Sequence, residues 1–234
     1  MSIILGINAF HAGASAALVI NGELKFAIAE ERLNRIKYYA GFPNLSIKNC
    51  LDFAGLDIKD VDHIAIGRNP LANLNKKLLY VSKNLNLIFN FLKIKRFKNN
   101  LDNLKLLLQK ECNFNINDMR FKIHNVEHHI AHTASTYFTS QLNSASGITI
   151  DGSGDFVTCM MSKCDGNNIT PIHKIFVPNS LGTFYSSICQ FIGFGNYGDE
   201  GKVMGLAPYG EDTYSKFFDD LITNDKIGGD AVNF

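Results

Sequence analysis

The chain has 234 residues, of which 46% are hydrophobic and 19% charged, and its formal net charge is +1. This composition is typical of a globular protein, and the near-neutral charge argues against binding to nucleic acid or an anionic membrane. The five cysteines form no CxxC pair, so neither a zinc knuckle nor a disulfide framework is indicated, and a reduced, cytoplasmic setting is expected. We expect neither a signal peptide nor a membrane span, because no basic leader and no long apolar run is present.

Short apolar segments predict a β-rich first third of the chain. Three strands are expected in succession, at residues 3–7, 15–20 and 23–29. Asn21 and Gly22 lie between the last two strands and indicate a hairpin, because both residues tolerate positive φ. Pro43 is expected to begin a helix that Gly55 ends, and residues 62–67 predict a fourth strand.

Residues 69–111 differ from the rest of the chain in being rich in Asn, Lys and Leu. They carry nine Lys or Arg residues against two acidic ones. We expect surface helices with solvated lysines here, outside the core, as part of a helical, basic insert over residues 69–120. A basic contact face for a partner or for an anionic acceptor is the alternative.

The remainder of the chain repeats the alternation of strands and helices. Residues 122–126 predict a fifth strand and residues 127–139 a helix. Three more strands are expected, at about residues 147–150, 156–163 and 169–176. The tight loop Gly152-Ser153-Gly154-Asp155 separates the first two of these, and a helix is expected over residues 181–192. Residues 193–210 are rich in glycine and predict a loop.

The plan of residues 3–29 recurs at residues 147–176. Each segment consists of a strand with a polar end residue, a small-residue loop, a second strand, an Asx-Gly turn and a third strand. The recurrence predicts an α/β, actin-like fold of duplicated ribonuclease H-like lobes, over residues 1–145 and 146–234. In such folds the first hairpin of each lobe grips phosphate, and small residues let backbone N–H groups approach the oxyanion.

The sharpest local motif is Glu127-His128-His129-Ile130-Ala131-His132. His128 and His132 share one face of a helix and can bind one ion together, whereas His129 is rotated by about 100°. Asp151 ends a predicted strand and supplies the carboxylate that two histidines need. A chance pairing on a surface helix is the alternative, but three of the seven histidines fall within this motif. The sequence therefore predicts a metal site of His128, His132 and Asp151.

Polar residues elsewhere are weaker candidates. His11 lies in the first hairpin loop and is a candidate general base, since the pKa of histidine is near neutral; a loop residue without chemistry is the alternative. Lys202 lies in the glycine-rich stretch and is a candidate contact for an anion, or part of a plain connector. Glu30, Glu31 and Arg32 are expected to form a solvated helix face.

Five segments, in this order, resemble the N-terminal part of the NodU/CmcH-type O-carbamoyltransferases. The segments are Leu5-Gly6-Ile7-Asn8 with His11 and Ser15-Ala16-Ala17-Leu18; Ala29-Glu30-Glu31-Arg32 with Arg35 and Ala40-Gly41-Phe42-Pro43; His128-His129-Ile130-Ala131-His132-Thr133-Ala134-Ser135; Ile150-Asp151-Gly152-Ser153-Gly154-Asp155; and Lys202-Val203-Met204-Gly205-Leu206-Ala207-Pro208-Tyr209-Gly210. The last segment is close to diagnostic. Members of the family are much longer, so the resemblance implies that the second lobe is incomplete in this chain.

The resemblance implies a mechanism. In this family a YrdC-like domain makes carbamoyl adenylate from carbamoyl phosphate and ATP, and the metal domain moves the carbamoyl group to an acceptor hydroxyl. It implies that Fe²⁺ or Mn²⁺ binds His128, His132 and Asp151, with His11 near the reaction centre. The predicted contacts to ATP or carbamoyl adenylate are Gly152, Ser153, Gly154, Asp155 and Lys202.

The partners implied are a small-molecule or glycan hydroxyl acceptor and a YrdC-like domain or partner chain, and no nucleic acid is expected. Two other functions stay open. The chain could be a relative of the tRNA threonylcarbamoyl transferases, against which residues 202–210 and the lack of an HxExH motif argue. It could also be a non-catalytic ATP- or metal-binding module of the actin-like class.

Overall fold

A computed structural model describes residues 1–84, 103–224 and 232–233. The chain divides into two compact units, Met1–Ala131 and His132–Phe234. The division falls inside one helix, which is continuous across it. The predicted lobe boundary after residue 145 lies instead near the beginning of the second unit's sheet, and the lobe assignment stays a prediction. In the described ranges, every helix is too short or too polar to cross a lipid bilayer.

The first unit alternates strands and helices. Its described elements are β1 (Ile3–Asn8), β2 (Ser15–Ile20), β3 (Glu23–Ala29), α1 (Glu30–Asn34), α2 (Asn44–Phe53), a 3-10 turn (Ile58–Asp60), β4 (His63–Ile66), α3 (Leu74–Lys83), α4 (Leu104–Cys112), a second 3-10 turn (Ile116–Asp118), β5 (Lys122–Asn125) and the beginning of α5 (His128–Tyr137). These bounds match the strands and helices predicted outside residues 69–120 to within a few residues.

A five-stranded sheet of order β3-β2-β1-β4-β5 organises the first unit. Strands β1, β2 and β3 form an antiparallel meander, whereas β4 and β5 run parallel to β1. Alternate residues of β1 are buried, as period-2 alternation requires of a strand with one core face. The α/β fold class is therefore confirmed.

The core of the first unit lies between this sheet and helices α2 and α4. Helix α4 was not expected there: Leu104, Leu108 and Cys112 recur every four residues and are buried in the core cluster. The prediction that residues 69–111 form helices outside the core is therefore wrong for α4. The abundance of Lys and Asn in the segment concealed this apolar spacing. Residues 85–102 of the segment lie outside the described residues.

Glu30 also departs from its prediction. It is buried rather than solvated, and its carboxylate accepts hydrogen bonds from the backbone N–H groups of Leu45 and Ser46 at 3.0 and 2.7 Å and from the Ser46 hydroxyl at 2.7 Å. Those N–H groups belong to the first turn of α2, which has no carbonyl partners for them. Glu30 thus ties the end of the meander to the beginning of α2.

The second unit contains a three-stranded antiparallel sheet of order β6-β7-β8. Its described elements, after the end of α5, are β6 (Ser144–Gly154), β7 (Val157–Asp165), β8 (Asn168–Phe176), α6 (Leu181–Phe191), α7 (Glu200–Leu206), a 3-10 turn (Ala207–Tyr209), α8 (Ser215–Leu221), β9 (Thr223–Asn224) and β10 (Val232–Asn233). Each unit thus contains a three-strand meander, and duplication of the lobes stays a prediction.

Two loop predictions in the second unit are corrected. Strand β6 runs to Gly154, so the turn consists of Asp155 and Phe156, which have φ of 50° and 77°. The stretch at residues 193–210, predicted to be a loop, contains α7 and the 3-10 turn that follows it. Glycine content suggested a loop, but Gly201 and Gly205 are accommodated inside α7.

Candidate functional site

Helix α5 places the candidate histidines. Glu127 precedes the helix, and its Oε2 accepts a hydrogen bond from the N–H of Ile130 at 2.9 Å, which stabilises the first turn. His128 and His132 follow one turn apart on the same face of the helix. His129 is fully buried, and its ring lies 5.5 Å from that of His128 in an edge-on arrangement.

His128, His132 and Asp151 come together. Each offers one possible ligand atom, and these atoms all lie within 4.8 Å of one another. The Nε2 atom of His132 and Oδ2 of Asp151 are 3.8 Å apart, farther than the roughly 3 Å between neighbouring ligands of one ion at ordinary bond lengths. Two imidazoles and one carboxylate are the donor set of many Fe²⁺ sites, so the residue types fit a divalent ion, with a small side-chain rotation to close the site.

A break in the pairing between β6 and β7 determines the position of Asp151. Regular pairing with β7 ends at Ile150 and resumes at Gly154, so the intervening residues bulge from the strand. The N–H of Gly152 donates to Oδ1 of Asp151 at 2.6 Å. This bond leaves Oδ2 as the oxygen nearer to His132.

The beginning of α6 supports the bulge. Ser180 donates from its hydroxyl to the carbonyl of Gly152 at 2.7 Å, and its Oγ accepts from the N–H of Thr183 as the helix cap. A Cβ atom on Gly182 would lie only 2.6 Å from the carbonyl carbon of Asp151. Glycine is therefore required where α6 approaches the strand that carries Asp151.

Ser180 and Gly182 were not singled out from the sequence. The sequence does contain a signal for both. Serine immediately before an apolar helical pattern is a typical N-cap, and a glycine in a helix lowers its stability relative to alanine, which points to a close backbone contact. Neither signal indicates which strand the helix contacts, so the support of Asp151 could not be inferred.

His11 lies in the loop between β1 and β2. The side-chain amide of Asn8 donates to the carbonyl of Gly13 at 2.9 Å, and the N–H of Phe10 donates to the carbonyl of Gly41 at 3.1 Å, so the loop is held at both ends. The Nδ1 atom of His11 contacts the carbonyl of Ala12 at 3.2 Å, and its ring is 6.5 Å from that of His128. A carbonyl only accepts, so this contact is a hydrogen bond when Nδ1 carries the proton, and the lone pair of the neutral ring is then on Nε2.

The predicted cofactor-binding residues fall into two groups. Gly152, Ser153, Gly154 and Asp155 form the bulge and turn at the end of β6. Lys202 lies on α7, where its Nζ is 2.7 Å from Oδ1 of Asp199.

Two acidic residues anchor the beginning of α7. The hydrogen bond from Lys202 is the main reason that the pKa of Asp199 lies below its usual range. Glu200 has a lowered pKa mainly because its Oε1 accepts from the Ser186 hydroxyl at 2.6 Å. Lys202 is thus part of a structural ion pair as well as a candidate anion contact.

Known proteins that are similar to this chain point to one family. Residues 3–231 match the family described as Carbamoyltransferase N-terminus. The uncharacterized protein sll1178 of Synechocystis sp. is 34% identical over 98% of this chain and 38% of its own length. The nodulation protein NolNO of Sinorhizobium fredii is 33% identical over 91% of this chain and 30% of its own length. The chain thus spans about a third of the length of these relatives.

A solved structure, YeaZ from Pseudomonas aeruginosa, is similar over 74% of this chain and 65% of its own, with a TM-score of 0.40 and 16% identity. This similarity is too low to support an argument. The family match covers nearly the whole chain and agrees with the resemblance of the five sequence segments. The chain therefore belongs to the carbamoyltransferase N-terminus family.

Proposed function

We propose that this chain is the transfer part of an O-carbamoyltransferase with an actin-like fold, acting in the cytoplasm. In this proposal it moves a carbamoyl group from carbamoyl adenylate to the hydroxyl of a small molecule or glycan. The observation that carries the proposal is the group of His128, His132 and Asp151 within a chain of the carbamoyltransferase family. Family membership favours carbamoyl transfer over threonylcarbamoyl transfer to tRNA.

The proposed metal ligands are His128, His132 and Asp151. Their donor set suits Fe²⁺ or Mn²⁺. A divalent ion there would supply positive charge to the phosphate of the donor and to the charge that develops during transfer. The hydrogen bond from Gly152 and the support from Ser180 hold Asp151 in place for this role.

His11 is the proposed general base. With its proton on Nδ1, the neutral ring can accept the proton of the acceptor hydroxyl at Nε2. The hydroxyl oxygen then forms a bond to the carbamoyl carbon, and the bond from that carbon to the phosphate oxygen breaks. AMP leaves with the electron pair, and the proton stays on Nε2 of His11.

The proposed donor comes from a separate activity. Carbamoyl adenylate is made from carbamoyl phosphate and ATP, and we assign that step to a YrdC-like domain or partner chain. Two loops are proposed to face phosphate, at residues 8–13 and 151–155, because small residues in both would let backbone N–H groups approach an oxyanion. Lys202 is proposed as a further contact, which would require it to leave or share its ion pair with Asp199.

Metal analysis tests the centre. The purified chain, loaded anaerobically with Fe²⁺ or with Mn²⁺, is expected to retain one equivalent after desalting. His132→Ala should lose this metal, whereas His173→Ala, at an exposed histidine of β8, should keep it. Stoichiometric metal retained by His132→Ala would remove the three residues from the proposal.

A turnover assay tests the transfer. The chain is combined with a YrdC-like partner, carbamoyl phosphate, ATP and a panel of hydroxyl acceptors, and carbamoylated product is detected by mass spectrometry. Product is expected only with both proteins present, and His11→Ala should abolish it while leaving bound metal unchanged. Product made by the chain alone would contradict the proposed division of labour.

A further inference from the structure

Two histidines outside the candidate centre lie together on the sheet of the first unit. His63 begins β4, and His124 lies on β5, the edge strand. Nδ1 of His63 and Nε2 of His124 are 3.0 Å apart, and the two rings meet edge-on with centroids 5.0 Å apart. The residues are 61 positions apart in the sequence, so neither was suggested by a local motif.

Strand register explains their contact. His63 pairs with Lys122. Two residues further along each strand, Ala65 pairs with His124. Side chains alternate along a strand, so these residues share one face of the sheet. The opposite face of β4 carries buried core residues. Both histidines therefore lie on the sheet face away from the core, and His124 is exposed.

The two nitrogens are within hydrogen-bonding distance, and a rotation of both rings would let their lone pairs converge on one ion. In a neutral pair one ring nitrogen donates to the other, and moving that proton to the remote nitrogen of the same ring frees both facing lone pairs. At metal–nitrogen distances of about 2.0–2.1 Å, nitrogens 3.0 Å apart subtend an angle of about 95° at the ion. That angle is close to the one between neighbouring ligands in tetragonal Cu²⁺ or octahedral Ni²⁺ sites, and narrower than a tetrahedron requires.

We propose that His63 and His124 form a two-histidine chelate site for a late divalent transition metal, Cu²⁺ above all. Imidazole is a good ligand for Cu²⁺, Ni²⁺ and Zn²⁺, and among these Cu²⁺ is bound most tightly at a given site. Water completes the coordination, so the site is expected to bind its ion more weakly than one that also has a carboxylate. The site stands independently of the proposed carbamoyl transfer, because it shares no residue with the centre on α5.

Lys122 modulates this site. It lies on the same sheet face, directly opposite His63 in register. An ammonium group beside the ion disfavours a second positive charge. Its replacement by a neutral residue of similar length, Lys122→Gln, should therefore strengthen Cu²⁺ binding without touching either ligand.

The test uses the whole chain with His132→Asn as the parent, so that the candidate centre on α5 is weakened. Cu²⁺ is titrated by calorimetry, and nitrogen coordination is read from the electron paramagnetic resonance spectrum. The parent should bind one equivalent with two nitrogen ligands. Adding His124→Asn should remove that equivalent, and Lys122→Gln should lower its Kd. The matched control, His173→Asn, should leave both the number of bound Cu²⁺ equivalents and the Kd unchanged.

Each contrary result overturns a defined part of the proposal. Unchanged Cu²⁺ binding in the folded His63→Asn/His124→Asn double variant would show that the pair is not the site. An equal loss of Cu²⁺ binding in the His173→Asn variant would show that Cu²⁺ binds diffusely to surface histidines. Tighter binding of Zn²⁺ than of Cu²⁺ would contradict the coordination angle. Because His124 is exposed on an edge strand, circular dichroism of His124→Asn should match that of the parent.

Discussion

The two sheets contain the same three-strand meander but bury their apolar residues to different extents. In the first unit, β1 is paired along both edges, and its central residue Leu5 is 0% exposed. In the second unit, β6 pairs along one edge only within the described residues. Ile148 and Ile150 on β6 are 63% and 58% exposed.

The exposed residues of the second sheet form a continuous surface. Ile148 lies directly opposite Met161 on β7, and Met161 is exposed as well. In the first unit, helices α2 and α4 cover the core face of the sheet. The second sheet buries Met160 and Cys164 on its opposite face, so Ile148, Ile150 and Met161 lie on the face that the described residues leave exposed. An exposed apolar surface of this kind commonly marks a place that another polypeptide covers.

The largest effect on stability is expected from a substitution that weakens the helical cover of the first sheet. Leu108→Ala on α4 removes a side chain with 0% exposure, so the free energy of unfolding should fall by about 2–5 kcal/mol. Leu106→Ala is the matched control on the same helix, where the side chain is 53% exposed, and should change it by at most about 0.5 kcal/mol. Urea denaturation measures both. Equal effects would show that α4 lies outside the core after all.

Glu30→Ala tests the link between the first meander and its covering helix. It deprives the N–H groups of Leu45 and Ser46 of a charged acceptor, so the free energy of unfolding should fall by roughly 2–3 kcal/mol. Glu23→Ala, at an exposed glutamate paired with Lys25, should cost no more than about 1 kcal/mol. Similar losses from the two variants in urea denaturation would remove the special role of Glu30.

Gly182→Ala perturbs the contact between α6 and the second sheet. The added methyl would overlap the backbone of Asp151, so stability should fall by about 1–3 kcal/mol, and bound Fe²⁺ or Mn²⁺ should fall with it. Gly205→Ala on α7 meets no atom within 4 Å and should be neutral or stabilise by up to about 1 kcal/mol. Thermal unfolding and elemental analysis distinguish them. Full metal binding by Gly182→Ala would mean that Asp151 is not held by this contact.

Ile148→Ser with Ile150→Ser sharpens the comparison at the exposed sheet. Because both side chains are already in solvent, each substitution should change stability by less than about 1 kcal/mol. Self-association of the chain, measured by sedimentation velocity, should decrease, because the apolar patch is interrupted. Leu24→Ser, at an exposed residue of β3, is the control and should leave self-association unchanged. An unaltered sedimentation profile of the double variant would show that the exposed apolar face of the second sheet does not mediate self-association.

Sequence patterns predicted the strands and helices well where apolar spacing and turn residues agree. The meanders, α2, α5 and α6 follow from alternation, Asn-Gly and Asx-Gly turns and helical periodicity. Helix α4 was misplaced because its basic and amide composition outweighed three apolar residues at four-residue spacing. Glu30 was misplaced because no local pattern shows that a carboxylate will meet the N-terminus of a helix that begins 14 residues later.

The candidate site shows the same limit. Its three candidate ligands were named from the sequence because the histidine spacing and the polar end of β6 are local signals, and the structure brings them together. Their supports, Ser180 and Gly182, act through contacts with residues about 30 positions away. The contact of His63 with His124 likewise depends on the register of two parallel strands, which no local pattern specifies.

Strand β5 lies at the edge of the first sheet, and all four of its residues are exposed. Among the described residues it pairs with β4 alone, so it is a candidate for local opening of the sheet. Helix α5 begins at His128, just after Asn125 ends the strand. Opening of β5 would therefore displace His128, and an ion bound there would oppose opening by mass action. Slower hydrogen exchange of the amides in residues 122–125 on adding Fe²⁺ would report occupancy of the centre without any turnover.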